Sequence, residues 1–328
     1  MKTTHPSRRA LLLQALSLTA ALSGCGGGGG SPAPAPAPTP PTPPPPPPPP
    51  AGPTGSLVYR NSGLVGIYSF SSRSELQFDP GIAPFVDPGV SVSASGLVSA
   101  ALEGTASSDF RLGFYGLNGQ ISSTYSVTRD SAFQTSAVVF NAAGTRIAFS
   151  VDEPASASDN TRIARTLVVD WPGGSVVGAI DRMEEPVWAG NELLLRDPVS
   201  LRLRLYSATL VDQGLLGSIV VNTLAGGYSA SSDGRIVVYQ DSSNGLRVQA
   251  YDRSTGSSWV AAEDSVSELR APVLAPGGGY MALLTRGVFF DSPHVLPFAA
   301  GSTVQVDSAV HELTGGLVNC EGRIGWTV

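Results

Sequence analysis

Lysine is almost missing from this chain. Lys2 is the only one, so the rest of the molecule has no amine side chain for Schiff-base or lysine-base chemistry. Histidine is nearly as scarce, with only His294 and His311 beyond the first five residues. A histidine-rich metal site would need more ligands than these two can supply, and both read as loop or surface residues. Cysteine occurs twice, at Cys25 and Cys320. Cys25 belongs to the export segment and not to the folded domain, which then holds one thiol and no internal disulfide. Cys320 then reads either as a reactive thiol or as a small buried apolar residue on the strand before the last turn. Charged residues make up only 14% of the chain and the net charge is −6. Without Lys2, Arg8 and Arg9 the balance is 17 basic against 26 acidic residues, a net of −9. No basic stripe remains, so nucleic acid is not an expected partner.

Glycine is what the chain has in quantity, and it is periodic. A short turn ending in Gly and followed by an apolar run recurs at Gly96, Gly144, Gly190, Gly234, Gly278 and Gly322, at intervals of 48, 46, 44, 44 and 44 residues. A fixed period of about 40–50 residues with several short strands in each marks a β-propeller. The low charge and frequent β-branched residues agree with an all-β domain. The expected fold is therefore an all-β, six-bladed propeller of about four strands per blade.

One repeat shows the pattern best. Residues 227–231 read as an inner strand and residues 231–234 as a turn. Residues 235–240, 246–253 and 257–262 read as the second, third and outer strands. The second strands are uniformly apolar (Ile147-Ala148-Phe149, Leu193-Leu194-Leu195), as strands covered on both faces should be. Turn dipeptides such as Asp-Gly and Asn-Gly supply positions with φ > 0. The two chain ends jointly complete the last blade. There one strand is surplus, because residues 57–60 and 323–328 compete for the second position.

The N-terminus carries a different message. Residues 1–24 have a basic start and an apolar stretch too short for a membrane span. Leu22-Ser23-Gly24-Cys25 resembles the lipobox of bacterial lipoproteins. That resemblance implies cleavage before Cys25, acylation of its thiol and new amine, and a membrane anchor through the acyl chains. Ser7-Arg8-Arg9-Ala10-Leu11-Leu12 also resembles a twin-arginine export signal, and a plain basic region is the alternative. Gly26, where the enteric sorting signal for inner-membrane retention has Asp, points to the outer membrane. Residues 25–55 form a Gly- and Pro-rich tether, expected to be disordered or polyproline II. At about 3.1 Å per residue its proline run spans on the order of 60 Å. It reads as a spacer, with a proline-rich recognition ligand as the rival. The expected domains are 1–24 signal peptide, 25–55 lipidated Cys and linker, and 56–328 propeller.

Tyr228-Ser229-Ala230-Ser231-Ser232-Asp233-Gly234-Arg235-Ile236-Val237-Val238-Tyr239 resembles the repeat of TolB-type propellers, with further copies at residues 142–150 and 185–190. Pro186, Pro272 and Trp188 match the start of that repeat. The residue 251–256 segment equally suits WD-like propellers. The resemblance implies a platform in the cell envelope or periplasm that presents loops and a central channel to a protein partner. No catalytic residue, cofactor or metal is expected. The alternative is an envelope enzyme, a carbohydrate lyase or hydrolase. Residues 227–231 come near a nucleophile elbow but lack its final Gly. Asp152, Glu153, Asp159 and Asp181 have no calcium-loop spacing and read as solvated acidic loops. The polar stretch 151–161 is expected to be a loop that contacts a partner.

Overall fold

The computed structural model describes residues 52–327, apart from residues 62, 81–89, 94, 103–108, 129–132, 135, 157–158, 223–225, 287–290, 310 and 313–319. The lipobox, Cys25 and the proline tether lie outside the described residues. Among the described residues from Ser56 onward the structure is all-β, with one short 3-10 turn at Val306–Ser308.

Local turn chemistry sets each hairpin. At the Asp-Gly turn, Gly234 has φ +74° and its N–H donates to Ser231 O at 2.8 Å. The Asp233 carboxylate accepts from Arg235 N at 3.0 Å and from Ser231 Oγ at 2.6 Å. The chain then reverses into Ile236–Gln240, which pairs antiparallel with Tyr228–Ala230 on one side and Arg247–Asp252 on the other. Ser257–Glu263 completes the blade. These four strands fall where the repeat pattern predicts them.

The described strands form six sheets. In chain order, the inner strands of blades 2 to 6 are Ser91–Val92, Val139–Phe140, Glu184–Ala189, Tyr228–Ala230 and Glu268–Leu274. Each sheet is covered on both faces by its neighbours, which is why second-strand residues such as Leu193, Leu194 and Leu195 are fully buried. One apolar cluster fills each of the six blade interfaces. The cluster between blades 6 and 1 packs Ala282 and Leu284 against Leu57, Ile324 and Trp326, and so closes the ring.

The closing blade differs from the sequence expectation in its register. Cys320–Thr327 is the innermost strand of blade 1, and Ser56–Asn61 is the second, followed by Leu64–Ser69 and Ser74–Phe78. No strand is surplus, because the C-terminal run takes the axial position. Gly322 is therefore not a turn between strands. It lies inside the inner strand with φ +69°, at a bulge between the pairs Val58↔Gly325 and Arg60↔Glu321. The chain ends replace the turn that the other blades need there. Cys320 likewise begins the inner strand and does not precede a last turn.

Two more elements differ. The described residues of 151–161 lie in strands and not in a loop: Arg146–Ser156 and Asp159–Asp170 pair antiparallel in blade 3 from Arg146↔Asp170 to Ser156↔Asp159, with one slip in register between Pro154 and Ser156. Cross-strand ion pairs let these polar residues stay in a ladder. Val304–Gln305 pairs parallel with Ser257–Glu263, so a segment leaving blade 6 covers the outer edge of blade 5.

Candidate binding site on the propeller axis

The inner strands define the axis, and several carry a kink in their first half. Glu185, Ala271 and Gly322 have φ of +54°, +45° and +69°, and Gly226, just before the inner strand of blade 5, has φ +99°. Pairing slips by one residue at this point in blades 4 and 6. Pro186 and Pro272, which follow two of the kinked residues, have no N–H to offer the ladder and suit a bulge. Past the kink the side chains turn apolar. All six blades contribute to one axial cavity of about 320 Å³. Its wall includes Val187, Trp188, Leu274, Ile324 and Trp326. Both indoles spend their N–H elsewhere: Trp188 Nε1 donates to Val139 O at 3.2 Å and Trp326 Nε1 to Thr54 O at 2.9 Å. They therefore present carbon surface to the cavity. The mouth lies at the turns after the inner strands, where Asn141, Gly190, Ser232 and Pro276 form the rim.

The other end is barred by one side chain. Arg323, on blade 1, crosses the axis to blade 4, the blade opposite in a ring of six. Its Nη1 donates to Pro186 O at 3.1 Å, and Nη2 lies 3.8 Å from Glu185 Oε2. Tyr228 Oη donates to Glu185 O beside this pair. Burial pushes the Tyr228 phenol far above its ordinary value, although the Arg323 charge opposes the shift, so it stays a neutral donor. Gly226 is required here: a Cβ would stand 2.9 Å from Arg323 Cα. Among the described residues, Arg323 is the only ionisable one that lines the cavity. Its Nε, and the Ser229 Oγ on the same wall, are buried without a hydrogen-bond partner among the described residues.

The residues singled out from the sequence lie elsewhere. His294 is on the third strand of blade 6, with Nε2 3.0 Å from Thr285 Oγ1. It lines a separate polar cavity of about 390 Å³ with Asp264, Ser267, Thr285, Ser292 and Asp307. Backbone register pairs His294 with Glu312 and His311 with Val295. Among the described residues no three His, Cys, Asp or Glu side chains group as metal ligands. Arginines engage three of the four carboxylates considered for calcium. Arg162 Nε is 3.0 Å from Asp152, and Arg165 bridges Glu153 and Asp181. The Asp159 side chain lies outside what the structure describes. The Ser156↔Asp159 pair lies at the far end of strands Arg146–Ser156 and Asp159–Asp170 from the turn at residues 141–145 on the cavity mouth. Ser229 of the rejected elbow sits in an inner strand.

Sequence reasoning missed the axial site. The apolar starts of the repeats were visible, but nothing in the sequence couples Arg323 to Pro186, 137 residues away.

No protein-family model matches the sequence, and no curated protein matches it. Among solved structures, the chain is similar to TolB from Acinetobacter baumannii, with a TM-score of 0.55 and 12% identity over 84% of this chain and 67% of that one. A chain of the mitotic checkpoint complex (TM-score 0.47, 15% identity, 68% and 64% covered) and a D477G ACO/RPE65 chimera (TM-score 0.46, 12% identity, 83% and 72% covered) are more distant. At this identity the likeness establishes a shared fold: the chain is a six-bladed β-propeller with the architecture of TolB.

Proposed function

We propose that this protein is a lipid-anchored binding module of the bacterial cell envelope. It holds a partner protein and performs no chemistry on it. Acyl chains on Cys25 place it on a membrane, the outer membrane by the residue at Gly26. The proline tether holds the propeller away from the lipid surface and sets the radius at which capture occurs.

The observation that carries this reading is the character of the axial cavity. Catalytic sites gather titratable groups whose pKa values are tuned apart. Here the wall is mostly apolar, and the one ionisable residue among the described lining residues is tied across the axis to Pro186 and Glu185. A concave apolar surface with a few polar points suits recognition. The reading is tested by crosslinking in the cell, with mass spectrometry of the captured proteins. A specific envelope protein should be recovered, and a substitution in the rim, Ser232→Arg, should abolish its capture while the fold survives. Turnover of an envelope glycan by the purified protein would overturn the proposal.

A further inference from the structure

Every propeller blade ends in an outer strand whose far side is open to pairing, and such edges recruit other strands unless they are guarded. Lysine, a common guard, is missing from this chain beyond Lys2. Five blades use other devices. In blade 1 the outer strand Ser74–Phe78 is short and carries Glu75. In blade 3, Val176–Asp181 contains Gly178, ends in Asp181 and is paired with a slip in register. In blade 4, Asp212–Val220 is paired with two slips and holds Gly214 and Gly217 at positive φ. Val304–Gln305 covers the edge of blade 5. The outer strand of blade 6, His311–Glu312, is two residues long. Ile121–Thr128 of blade 2 has none of these guards. Its eight residues include no charge, proline or glycine, and Ile121, Thr124, Tyr125, Val127 and Thr128 all favour strands. Its ladder to Asp109–Tyr115 runs unbroken from Asp109↔Thr128 to Phe114↔Ser123 and slips only at the Ile121 end. Ile121 is 56% exposed, and Ser122, Thr124 and Ser126 are exposed too. It is the last strand of its sheet, so among the described residues nothing pairs with its far side.

We infer that the outer edge of blade 2 is a self-association surface, on which Ile121–Thr128 pairs antiparallel with the same strand of a second copy about a two-fold axis. The two four-stranded sheets then run on as one. The lack of charge decides the occupant. A two-fold contact sets a strand against its own sequence, so a charged edge brings like charges to the seam, and this edge brings none. The same neutrality leaves no charge by which a foreign strand would be selected. Laid against itself over its full length, the strand puts Ser123 opposite Ser126 and Thr124 opposite Tyr125. A hydroxyl pair and a β-branched–aromatic pair both suit such a seam. The contact is narrow, below the standard interface size, so the dimer is weak. The inference goes beyond the binding reading above and does not depend on what the axial cavity holds.

The full chain is sedimented in density-matched detergent from about 1 μM to about 1 mM, the range in which so small an interface fills. It should pass from monomer to dimer. Two variants, Ser123→Cys and Ser126→Cys, each with Cys320→Ser, are then oxidised separately and mixed. Opposed residues lie about 4.5–5.5 Å apart at Cα, within disulfide reach. Ser123 of one copy and Ser123 of the other are three residues apart along the seam, about 10 Å, and out of reach. The mixed disulfide should therefore form at least about tenfold faster than either homodisulfide. Ser123→Lys together with Ser126→Lys sets like charges across the seam and should abolish the dimer, with Tm within a few degrees of the parent. Glutamate at both positions should do the same, and mixing the lysine and glutamate chains should restore a dimer. Should the charged variants fail to fold, sedimentation of the parent and the disulfide comparison still decide. A parent that stays monomeric, a dimer that survives both lysines, or a mixed disulfide no faster than the homodisulfides overturns the inference. A monomeric parent whose lysine variant loses capture of an envelope protein in the cell overturns it too, and assigns the edge to an extended segment of that partner.

Discussion

Two turn glycines that look alike in sequence have different surroundings. A Cβ on Gly234 would lie 2.5 Å from the Ala189 backbone of the neighbouring blade, whereas a Cβ on Gly144 would meet nothing within 4 Å. Both have positive φ, so Ala costs about 1–2 kcal/mol at either site for conformation alone. At Gly234 overpacking against backbone adds about 1–3 kcal/mol. Thermal melts should therefore show Gly234→Ala lowering Tm by clearly more than Gly144→Ala; equal shifts would mean the blade contact is slack. Asp252 offers a test in pH. The Arg235 guanidinium, Ser254 hydroxyl and Ser254 N–H hold its carboxyl far below the usual range. A carboxyl depressed in the folded state contributes stability that is complete above its unfolded value of about 3.9 and is lost as pH falls towards the folded value. The Tm gap between the parent and Asp252→Asn should be widest near neutral pH and narrow steadily below about pH 4. A gap that does not change with pH would assign the effect to packing.

The inner strand of blade 1 is the element on which the ring depends. Cys320–Thr327 supplies Ile324 and Trp326 to the core between blades 6 and 1, and Arg323 to the floor of the axial cavity. Removing residues 323–328 would expose the edge of Ser56–Asn61 and uncover two apolar side chains, each of which stabilises by several kcal/mol when buried. The loss is comparable to the whole stability of a domain, about 5–15 kcal/mol. Calorimetry of the truncated chain should show no cooperative transition near the parent Tm. A cooperative melt within a few degrees of it would mean the other five blades hold without closure.

At the scale of the whole molecule the propeller is one end of a proposed anchor–tether–domain arrangement. Cys25 is the position on which the anchor rests, through Leu22-Ser23-Gly24-Cys25. Cells given labelled palmitate should label the parent protein, and Cys25→Ser should abolish both the label and membrane retention. Label on the Cys25→Ser protein would remove the lipoprotein reading and return residues 1–25 to an ordinary signal. Anchoring multiplies effective concentration at the membrane, so capture of the partner in the cell should fall in this variant although its propeller is unchanged.

The blade count was legible because each blade is built from local instructions. Asp233-Gly234 makes its turn with its own side chain and φ, and Leu193-Leu194-Leu195 marks a strand covered on both faces wherever it sits. Such signals need only neighbours in the chain. Where the local signal was ambiguous the reading failed. Gly322 keeps the spacing and the positive φ of a turn glycine, yet forms a bulge, because the strand beside it comes from the other end of the chain. Polar residues 151–161 read as a loop, but arginines paired across the ladder keep residues 151–156 and 159–161 in strands. The axial cavity lay further out of reach. Its wall draws on all six blades, and its floor rests on contacts between Arg323, Pro186 and Glu185 that exist only after closure. Periodicity by itself determined the blades; the ring alone decided what meets at the axis, because those residues become neighbours only when the two chain ends share one sheet.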